Sequence, residues 1–545
     1  MSEFSQLNGY KVKDKKAIRY YDTVESMIND TTLKEGMHVK TKGYYAINDG
    51  GACEYHISST QSSTKHQEQL NNNLYATLIV SNIYNVKFFG ILPDNEVDYT
   101  NTLNDIIQLM NNGDILYFPS GVYNFNVNQS LILIDKPMTL LGDGNSIILN
   151  KGEGNIIDVK LETEEKRFVT IKDISLDEYN TDGKCVNIIS EENYYLSNFS
   201  MINVKCFNGE YGFYINGVTN DNLFIASFEK CLFWNNGFYG NKIGDTIKIT
   251  GCQFAFDGGI YLNQVSGATS LEFNNNNVTC TDGFKLENNT SAIIINNIFE
   301  FTRDTNNNNG YVEICSGVTN RMYEVMIISN TFSYSANYQA PNKPLLYIGK
   351  TGRTKILSNF IGVKENNYSV VLSANSNTTE FDSTFGISYS SPIIEWALHD
   401  LGSNSIIKGN YVNGSFYDGK QTSYSYEKYT GKKSITGHLQ IINGNPTFAS
   451  NNGNVAINHA TYVDDYNVSN EKNICFITSD GILPVNLLIG GLSNHCRIRF
   501  MSYSLPTDDL QTGDLFINKT ITQSLPYPLY YYDGTSVKGF GTLNS

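Results

Sequence analysis

A chain of 545 residues exceeds one ordinary hydrophobic core, so several domains or an elongated repeat fold are expected. Its 39 basic against 54 acidic side chains leave a net charge of −15, which argues against nucleic acid and against an anionic membrane surface as partners. Only 17% of residues are charged, whereas Tyr, Phe, Asn and Gly abound and proline is sparse, a mix that predicts strands with polar ladders and many turns rather than helices or disordered linkers.

The chain opens Met-Ser-Glu-Phe-Ser-Gln without a basic and apolar leader, and no run of 18 apolar residues occurs. It is therefore expected to be made in the cytoplasm without a cleaved signal. The nine cysteines, at 53, 185, 206, 231, 252, 280, 315, 475 and 496, are odd in number and never form a Cys-x-x-Cys pair. Neither a disulfide framework nor a zinc site is expected of them, and they read as small apolar core residues.

Within residues 1–80, Tyr20 to Thr32 predicts a short helix, and the alternation from Gly36 to Ile57 around a glycine turn predicts a hairpin. His38 and His56 lie on opposite sides of that turn and are expected to be neighbours, without further residues in a metal-ligand pattern. A polar, loop-like stretch from Ser58 to Asn73 closes this module. Residues 82–123 then run from a strand through Phe88-Phe89-Gly90 and a polar turn into an amphipathic helix. Leu103, Ile106, Ile107 and Met110 recur there at the helical period, Asn112-Gly113 ends it, and Asp114-Ile-Leu-Tyr-Phe reads as a buried strand. A helix followed by such a strand suits a cap over the open end of a strand stack, whose apolar side chains and backbone groups would otherwise be exposed.

From about residue 130 the chain becomes irregular repeats of roughly 21 to 33 residues, a period that signals stacked units. One marker is a polar residue two places after an apolar strand residue, at Asn203, Lys230, Gly251, Asn275, Asn297, Asn330 and Asn359. Asparagines at one turn of successive coils are expected to stack as an amide ladder. A second marker is Gly212-Phe-Tyr-Ile-Asn, Gly237-Phe-Tyr-Gly-Asn, Gly259-Ile-Tyr-Leu-Asn, Gly283-Phe-Lys-Leu-Glu and Gly310-Tyr-Val-Glu-Ile, at spacings of 25, 22, 24 and 27. Strand alternation then places Phe213, Phe238, Ile260, Phe284 and Tyr311 inside the coil, with Tyr214, Tyr239, Tyr261 and Lys285 outside. Such a tyrosine column, flanked by Asn216, Asn241, Asn263 and Glu287, offers flat apolar faces beside hydrogen-bonding groups, to a sugar chain or to another subunit.

The turns before the last three of these glycines carry acid, Asp257, Asp282 and Asp304 in consecutive coils, with Arg303 beside the last. Coils stack about 4.7–4.9 Å apart. Carboxylates on adjacent coils would stand about 5 Å apart, the retaining-hydrolase geometry, and those two coils apart about 10 Å, closer to the inverting range. Crowding of this kind raises one carboxyl's pKa and leaves its partner ionised, so Asp257 and Asp282 are the expected acid and nucleophile or base, assisted by Asp304 and Arg303. Tyr214, Tyr239, Tyr261, Lys285 and Glu287 are the expected glycan-holding residues. Ordinary turn aspartates are the competing reading, and if they are dispensable the site moves to a groove between subunits around Glu287, Glu300 or Glu313.

Beyond residue 410 the coil pattern fades. Short strands at Val485-Asn-Leu-Leu-Ile, Cys496-Arg-Ile-Arg-Phe and Asp514-Leu-Phe-Ile, before a proline-rich Leu525-Pro-Tyr-Pro-Leu, predict a compact β domain. The sequence contains no Gly-x-Ser-x-Gly elbow, phosphate loop, His-Glu-x-x-His or dinucleotide fingerprint, and no cofactor or metal is expected.

The stretch 82–123 resembles the entry motif of pectate-lyase-like β-helices, as found in phage tailspikes and polysaccharide depolymerases. The matching residues are Asn85-Val86, Phe89-Gly90, Asp94, Asp98, Thr100, Ile106-Ile107, Phe118-Pro119, Gly121 and Tyr123. It departs at Leu92-Pro93-Asp94-Asn95, where the family has Gly-Asp-Gly, and at Tyr99, where the family has a second Asp. Asp94 and Asp98 read as turn and cap residues. Gly43-Tyr44-Tyr45 with Asp49-Gly50-Gly51 and Tyr55 also resembles the small N-terminal module of phage tail proteins, and Leu529-Tyr-Tyr-Tyr-Asp-Gly-Thr resembles the closing hairpin of phage fibre tips.

The resemblance implies a mainly β chain with three parts. These are a virion-attachment module over 1–80, a right-handed parallel β-helix with its cap over 81–410, and a C-terminal β domain over 411–545 for trimerisation or receptor contact. It implies a homotrimeric tailspike that joins phage tail or baseplate proteins through its N-terminal module. Such a spike binds and degrades a bacterial surface glycan, capsular polysaccharide or wall teichoic acid, during host adsorption. The alternative is a receptor-binding spike without turnover. Relatives with lyase chemistry use calcium carboxylates and a basic Arg or Lys, and no such set matches here, so hydrolysis is the expected reaction.

Overall fold

The computed structural model describes residues 18–413 except 95–96, 127, 129, 161–166, 180–181, 190–195, 219–222, 245, 264–269, 289–290, 303–306, 308, 318–321, 336–342, 364–367, 383–384, 389–397, 403–405 and 409–410; further on it describes 473–475, 497–499, 515–517, 529–532 and 535–540. The chain divides into two units, 1–415 with 423–430, and 416–422 with 431–545.

The first unit begins with a five-stranded sheet of Arg19–Tyr21, His38–Thr41, Glu54–Ser58, Tyr75–Leu78 and Gln67–Gln69. The expected hairpin is present, and its antiparallel register sets His38 opposite His56, with the two rings 5.1 Å apart. Its turn is organised by Asp49, whose carboxylate accepts the backbone N–H groups of Tyr44, Tyr45, Ala46 and Gly51. The expected helix is shorter than its sequence span, Val24–Ile28 only. Residues 19–21 are drawn into the sheet beside His38–Thr41, and Asp30 turns the chain by accepting from Thr32 N–H and both the Thr32 and Tyr21 hydroxyls.

The cap follows. Asn85 begins a 3-10 turn over Val86–Phe89 that ends on Gly90 at φ 78°, and the helix Thr100–Leu109 buries Leu103, Ile106 and Ile107. The helix also closes a sheet edge. Asn104 donates to the carbonyl of Leu131 at 3.1 Å and accepts from Leu133 N–H at 3.0 Å, so its amide takes the place of the missing neighbour of strand Ile132–Ile134. We expect Asn104→Ala to cost about 1–3 kcal/mol, the cost of leaving these groups unpaired, in urea unfolding followed by circular dichroism.

Beyond the cap the chain winds as a parallel β-helix. A representative coil consists of Leu223–Glu229, Leu232–Trp234 and Gly237–Asn241, and each strand pairs in parallel with its counterparts in the coils before and after. The third strands together form an eleven-stranded sheet from Ile132–Ile134 to Leu398–Asp400. The core between the sheets is filled by aromatic columns such as Phe233 on Phe254, 4.9 Å apart, and Phe299 on Phe332, 5.0 Å apart. Cys185, Cys206, Cys231, Cys252 and Cys280 are buried along the axis as free thiols.

The amide ladder exists, and four of the seven marker positions stand one residue ahead of its line. Its buried rungs are Asn276, Asn297, Asn330 and Asn359, each of the first three amides donating to the next side-chain carbonyl at 2.9–3.1 Å. Each also donates to a strand carbonyl, of Ile249, Phe273, Ile294 and Ile327 respectively. Asn203, Lys230, Gly251 and Asn275 are instead the left-handed turn residues just ahead of that line, at φ 53–67°. The marker mixed the two positions because the residue that reverses the chain points outward and its successor points in.

The second marker is in register through its first four members: Phe213, Phe238, Ile260 and Phe284 are successive inward partners. Its fifth is one residue out of step. Phe284 pairs with Val312, not Tyr311, and Lys285 pairs with Glu313. Tyr311 is buried nonetheless, as a turn residue whose hydroxyl donates to the carbonyl of Cys280 at 2.8 Å.

In the second unit, Asn473–Cys475 pairs in parallel with Arg497–Arg499, and Leu515–Ile517, Leu529–Tyr532 and Val537–Phe540 form an antiparallel sheet. The strand expected at Val485 to Ile489 lies outside the described residues. Among the described residues no helix is long and apolar enough to cross a membrane.

Candidate functional site

The outward face of the eleven-stranded sheet carries a row in unbroken register: Asp158, Asn187, Tyr214, Tyr239, Tyr261, Lys285, Glu313 and Tyr347. The sequence brings these residues together because each follows an inward apolar residue of its own coil. At its centre, Tyr214 stacks on Tyr239 at 5.0 Å and 16°, and Tyr239 on Tyr261 at 5.1 Å and 22°. The rings therefore cover one another's faces. The flat apolar faces expected from the sequence are used up within the stack, and what the column turns outward is ring edges and hydroxyls. The two end faces meet cations, the Lys184 ammonium 5.0 Å from the centre of Tyr214 and the Lys285 ammonium 5.9 Å from that of Tyr261.

Tyr211 leans on the column, 4.9 Å from Tyr214 and 5.6 Å from Tyr239. Burial, with lesser repulsion from nearby acids and tyrosines, pushes both Tyr211 and Tyr261 up to about 12. The hydroxyls are thus held as neutral donors, and we expect an absorbance titration of the native protein to show tyrosines ionising near pH 12 that shift toward pH 10 on denaturation. Alongside runs a polar rail. Asn241 donates to Asn216 at 2.8 Å, Asn263 to Asn241 at 2.7 Å, and Asn288 to Asn263 at 2.7 Å.

The rail continues through Asn288 rather than Glu287, which is buried beneath the loop carrying Ser316 and Gly317. Glu287 accepts from Gly317 N–H at 3.0 Å, and both it and Glu313 lie 2.6 Å from the Ser316 hydroxyl. Glu313, fully buried, also accepts from Gly310 N–H at 3.1 Å. Lys285 stands 3.8 Å from Glu287 and 3.7 Å from Glu313. The pair anchors Lys285 beneath the column, and Glu287 is not presented outward as a sugar contact. Its sequence position, aligned with Asn263, gave no sign of this, because its burial is set by the loop carrying Ser316 and Gly317.

The acidic turn borders the column on the other side. Phe256 pairs with Cys280, which aligns Asp257 with Thr281 and Gly258 with Asp282. Thr281 O–H lies 3.4 Å from the Asp257 carboxylate, and Asp282 N–H donates to the carbonyl of Gly258 at 2.8 Å. Asp257 and Asp282 therefore sit on adjacent coils but one residue out of step, a diagonal longer than the direct rung assumed from the sequence. Asp257 is exposed and Asp282 half-buried. Arg303 and Asp304 lie outside the described residues.

Two contributors escaped the sequence reading. Tyr211 stands one place before its marker glycine, and Lys184 is its strand partner one coil earlier, where the counterparts of Phe213 and Tyr214 are Val186 and Asn187. The Lys184 ammonium lies 3.5 Å from Glu210, in the coil after it.

No family model matches the chain, and no match is found among curated proteins. Among solved structures, the chain is similar to the gp42 tailspike of Acinetobacter phage vb_AbaP_AS12, at 12% identity and a TM-score of 0.49 over 81% of each chain. It is similar to the tailspike gp49 of Acinetobacter baumannii bacteriophage Fri1, described as a capsular polysaccharide depolymerase, at 13% identity and a TM-score of 0.39 over 72% of this chain and 71% of that one. It is also similar to the A-module of the mannuronan C-5 epimerase AlgE6 of Azotobacter vinelandii, at 15% identity and a TM-score of 0.41 over 61% of this chain and all of that one.

Proposed function

We propose that this chain is a phage tailspike that binds a bacterial surface glycan, capsular polysaccharide or wall teichoic acid, along the tyrosine column and hydrolyses it at the neighbouring acidic turn. The observation that supports the reading is the juxtaposition of outward tyrosine edges and hydroxyls, an asparagine rail and the turn carboxylates of Asp257 and Asp282 along one sheet. Sugars are held by hydrogen bonds to such fixed donors and acceptors together with ring contacts. Asp257 and Asp282 are the candidate acid pair. One protonates the departing glycosidic oxygen while the other, ionised, serves as nucleophile or directs water to the sugar.

The homotrimer, and attachment of residues 1–80 to tail or baseplate proteins, belong to the same proposal. Light scattering of the native protein is expected to give three times the chain mass, and a stable monomer would overturn that part.

A second reading, binding without turnover, is favoured by the out-of-step placement of Asp257 and Asp282. One experiment separates the two. The purified protein is incubated with host envelope and assayed for new reducing ends, unsaturated sugars and released glycerol or ribitol phosphate. New reducing ends that disappear in Asp257→Asn or Asp282→Asn, with binding retained, support hydrolysis at this turn. Binding with no product of any kind leaves the receptor-binding reading, and unsaturated ends point to a lyase.

A further inference from the structure

The acidic turn has a second aromatic neighbour on its far side. Trp234 is the last residue of Leu232–Trp234 and Phe256 the last of Gln253–Phe256, one coil further on. Their ring centres lie 4.2 Å apart at 51°, and they remain 37% and 44% exposed. Ala255, the strand partner of Trp234, is buried at 4% although its side of the strand is the outward one, so the two rings stand over a small apolar floor.

Phe256 holds this place at a cost. Its backbone has φ 67°, in the left-handed region that a bulky aromatic residue rarely occupies. Strain of this kind persists where the surrounding structure enforces it and gathers at ligand-contacting sites. Here it is enforced by Thr281, whose backbone N–H and hydroxyl both bond the Phe256 carbonyl, at 2.7 and 3.1 Å. The same hydroxyl lies 3.4 Å from the carboxylate of Asp257, the next residue in the chain. The aromatic pair and the candidate acid are thus fixed by one threonine.

We propose that Trp234 and Phe256 form a sugar-stacking subsite for the same glycan, so that the polymer crosses the acidic turn from the tryptophan side to the tyrosine column. This rests on the glycan reading given above and extends it. The tyrosine rings have covered faces, whereas this tilted pair is open to solvent, the surface on which the C–H face of a pyranose packs. The occupant is the glycan because the patch is continuous with the acidic turn through consecutive residues, Phe256 and Asp257. A polymer held on both sides has its scissile bond placed over the carboxylates.

The test uses the full-length protein and an array of purified bacterial capsular polysaccharides and wall teichoic acids as the probe. Three variants are compared with wild type: Trp234→Ala, Phe256→Gly, which removes the ring and suits the left-handed backbone, and Tyr239→Ala as the column reference. Affinity for the recognised polysaccharide is expected to fall at least about tenfold in both Trp234→Ala and Phe256→Gly, with circular dichroism and molar mass unchanged. Affinity within twofold of wild type in both, while Tyr239→Ala weakens binding, would overturn the subsite and leave the glycan reading standing. Retained affinity with a lower molar mass would also overturn it, making the pair a contact between copies. Wild type that binds no member of the array would remove the glycan reading, and this subsite with it.

Discussion

Replacing Asn330 with alanine is expected to destabilise the β-helix by about 4 kcal/mol, among the largest effects of any single substitution in it. Asn330 is almost fully buried and forms bonds on every side. Its carbonyl oxygen accepts the backbone and side-chain N–H groups of Asn297, both at 2.9 Å, and its amide donates to Asn359 at 3.0 Å and to the carbonyl of Ile294 at 2.8 Å. Alanine would strand these partners away from water at about 1–3 kcal/mol each, partly relieved by relaxation, and leave a cavity. Asn241, in the outer rail, is the control. It also makes two amide bonds, to Asn216 and from Asn263, but water can replace them, so Asn241→Ala should cost less than about 1 kcal/mol. Urea midpoints measured side by side decide this, and equal costs would show that the buried ladder is not the spine of the fold.

Glu178→Gln is expected to act in the opposite direction. Glu178 is fully buried, and among the described residues its Oε1 has no hydrogen-bond partner. Burial pushes its carboxyl up to about 9, against smaller lowering effects from the Asn150 amide and the Ile156 N–H. Between the ordinary carboxyl range near 4.5 and this value, the unfolded chain releases a proton that the folded chain retains. The wild type is therefore most stable with respect to this group below about pH 4.5 and loses stability as pH rises to about 9, a loss of a few kcal/mol by neutrality. Glutamine cannot ionise in either state. The variant should unfold at higher urea than wild type at pH 8, with the advantage vanishing near pH 4. Parallel stability curves across that range would show that Glu178 ionises normally in the fold.

How much of this could be read in the chain depended on what each residue answers to. The cap was legible because Leu103, Ile106 and Ile107 obey the helical period, and the tyrosine row because strand alternation separates Phe213 from Tyr214. Registers that depend on a turn were not. Whether a coil reverses on Asn275 or one residue later, or whether Tyr311 or Val312 faces Phe284, is decided by a left-handed residue that asparagine, lysine, serine and glycine all supply. The candidate site suffered most from this, since a one-residue offset sets Asp282 against Gly258 instead of Asp257. The burial of Glu287 was hidden for a related reason, as it is governed by a loop twenty-nine residues away in sequence. That tyrosines 5 Å apart would hide their faces in one another is a property of the stack, invisible in any single repeat.

The cysteines offer a use of the fold unrelated to sugars. Six of them, from Cys185 to Cys315, are buried and distributed along the axis; burial pushes the thiols at 185 and 280 upward, and a hydrogen bond with Cys231, followed by burial, raises that at 252, all away from the reactive thiolate. Each is therefore silent toward alkylating reagents until its own coil opens. A pulse of iodoacetamide followed by peptide mass spectrometry would read local opening at known positions without any residue being substituted, and so would show from which end the β-helix frays.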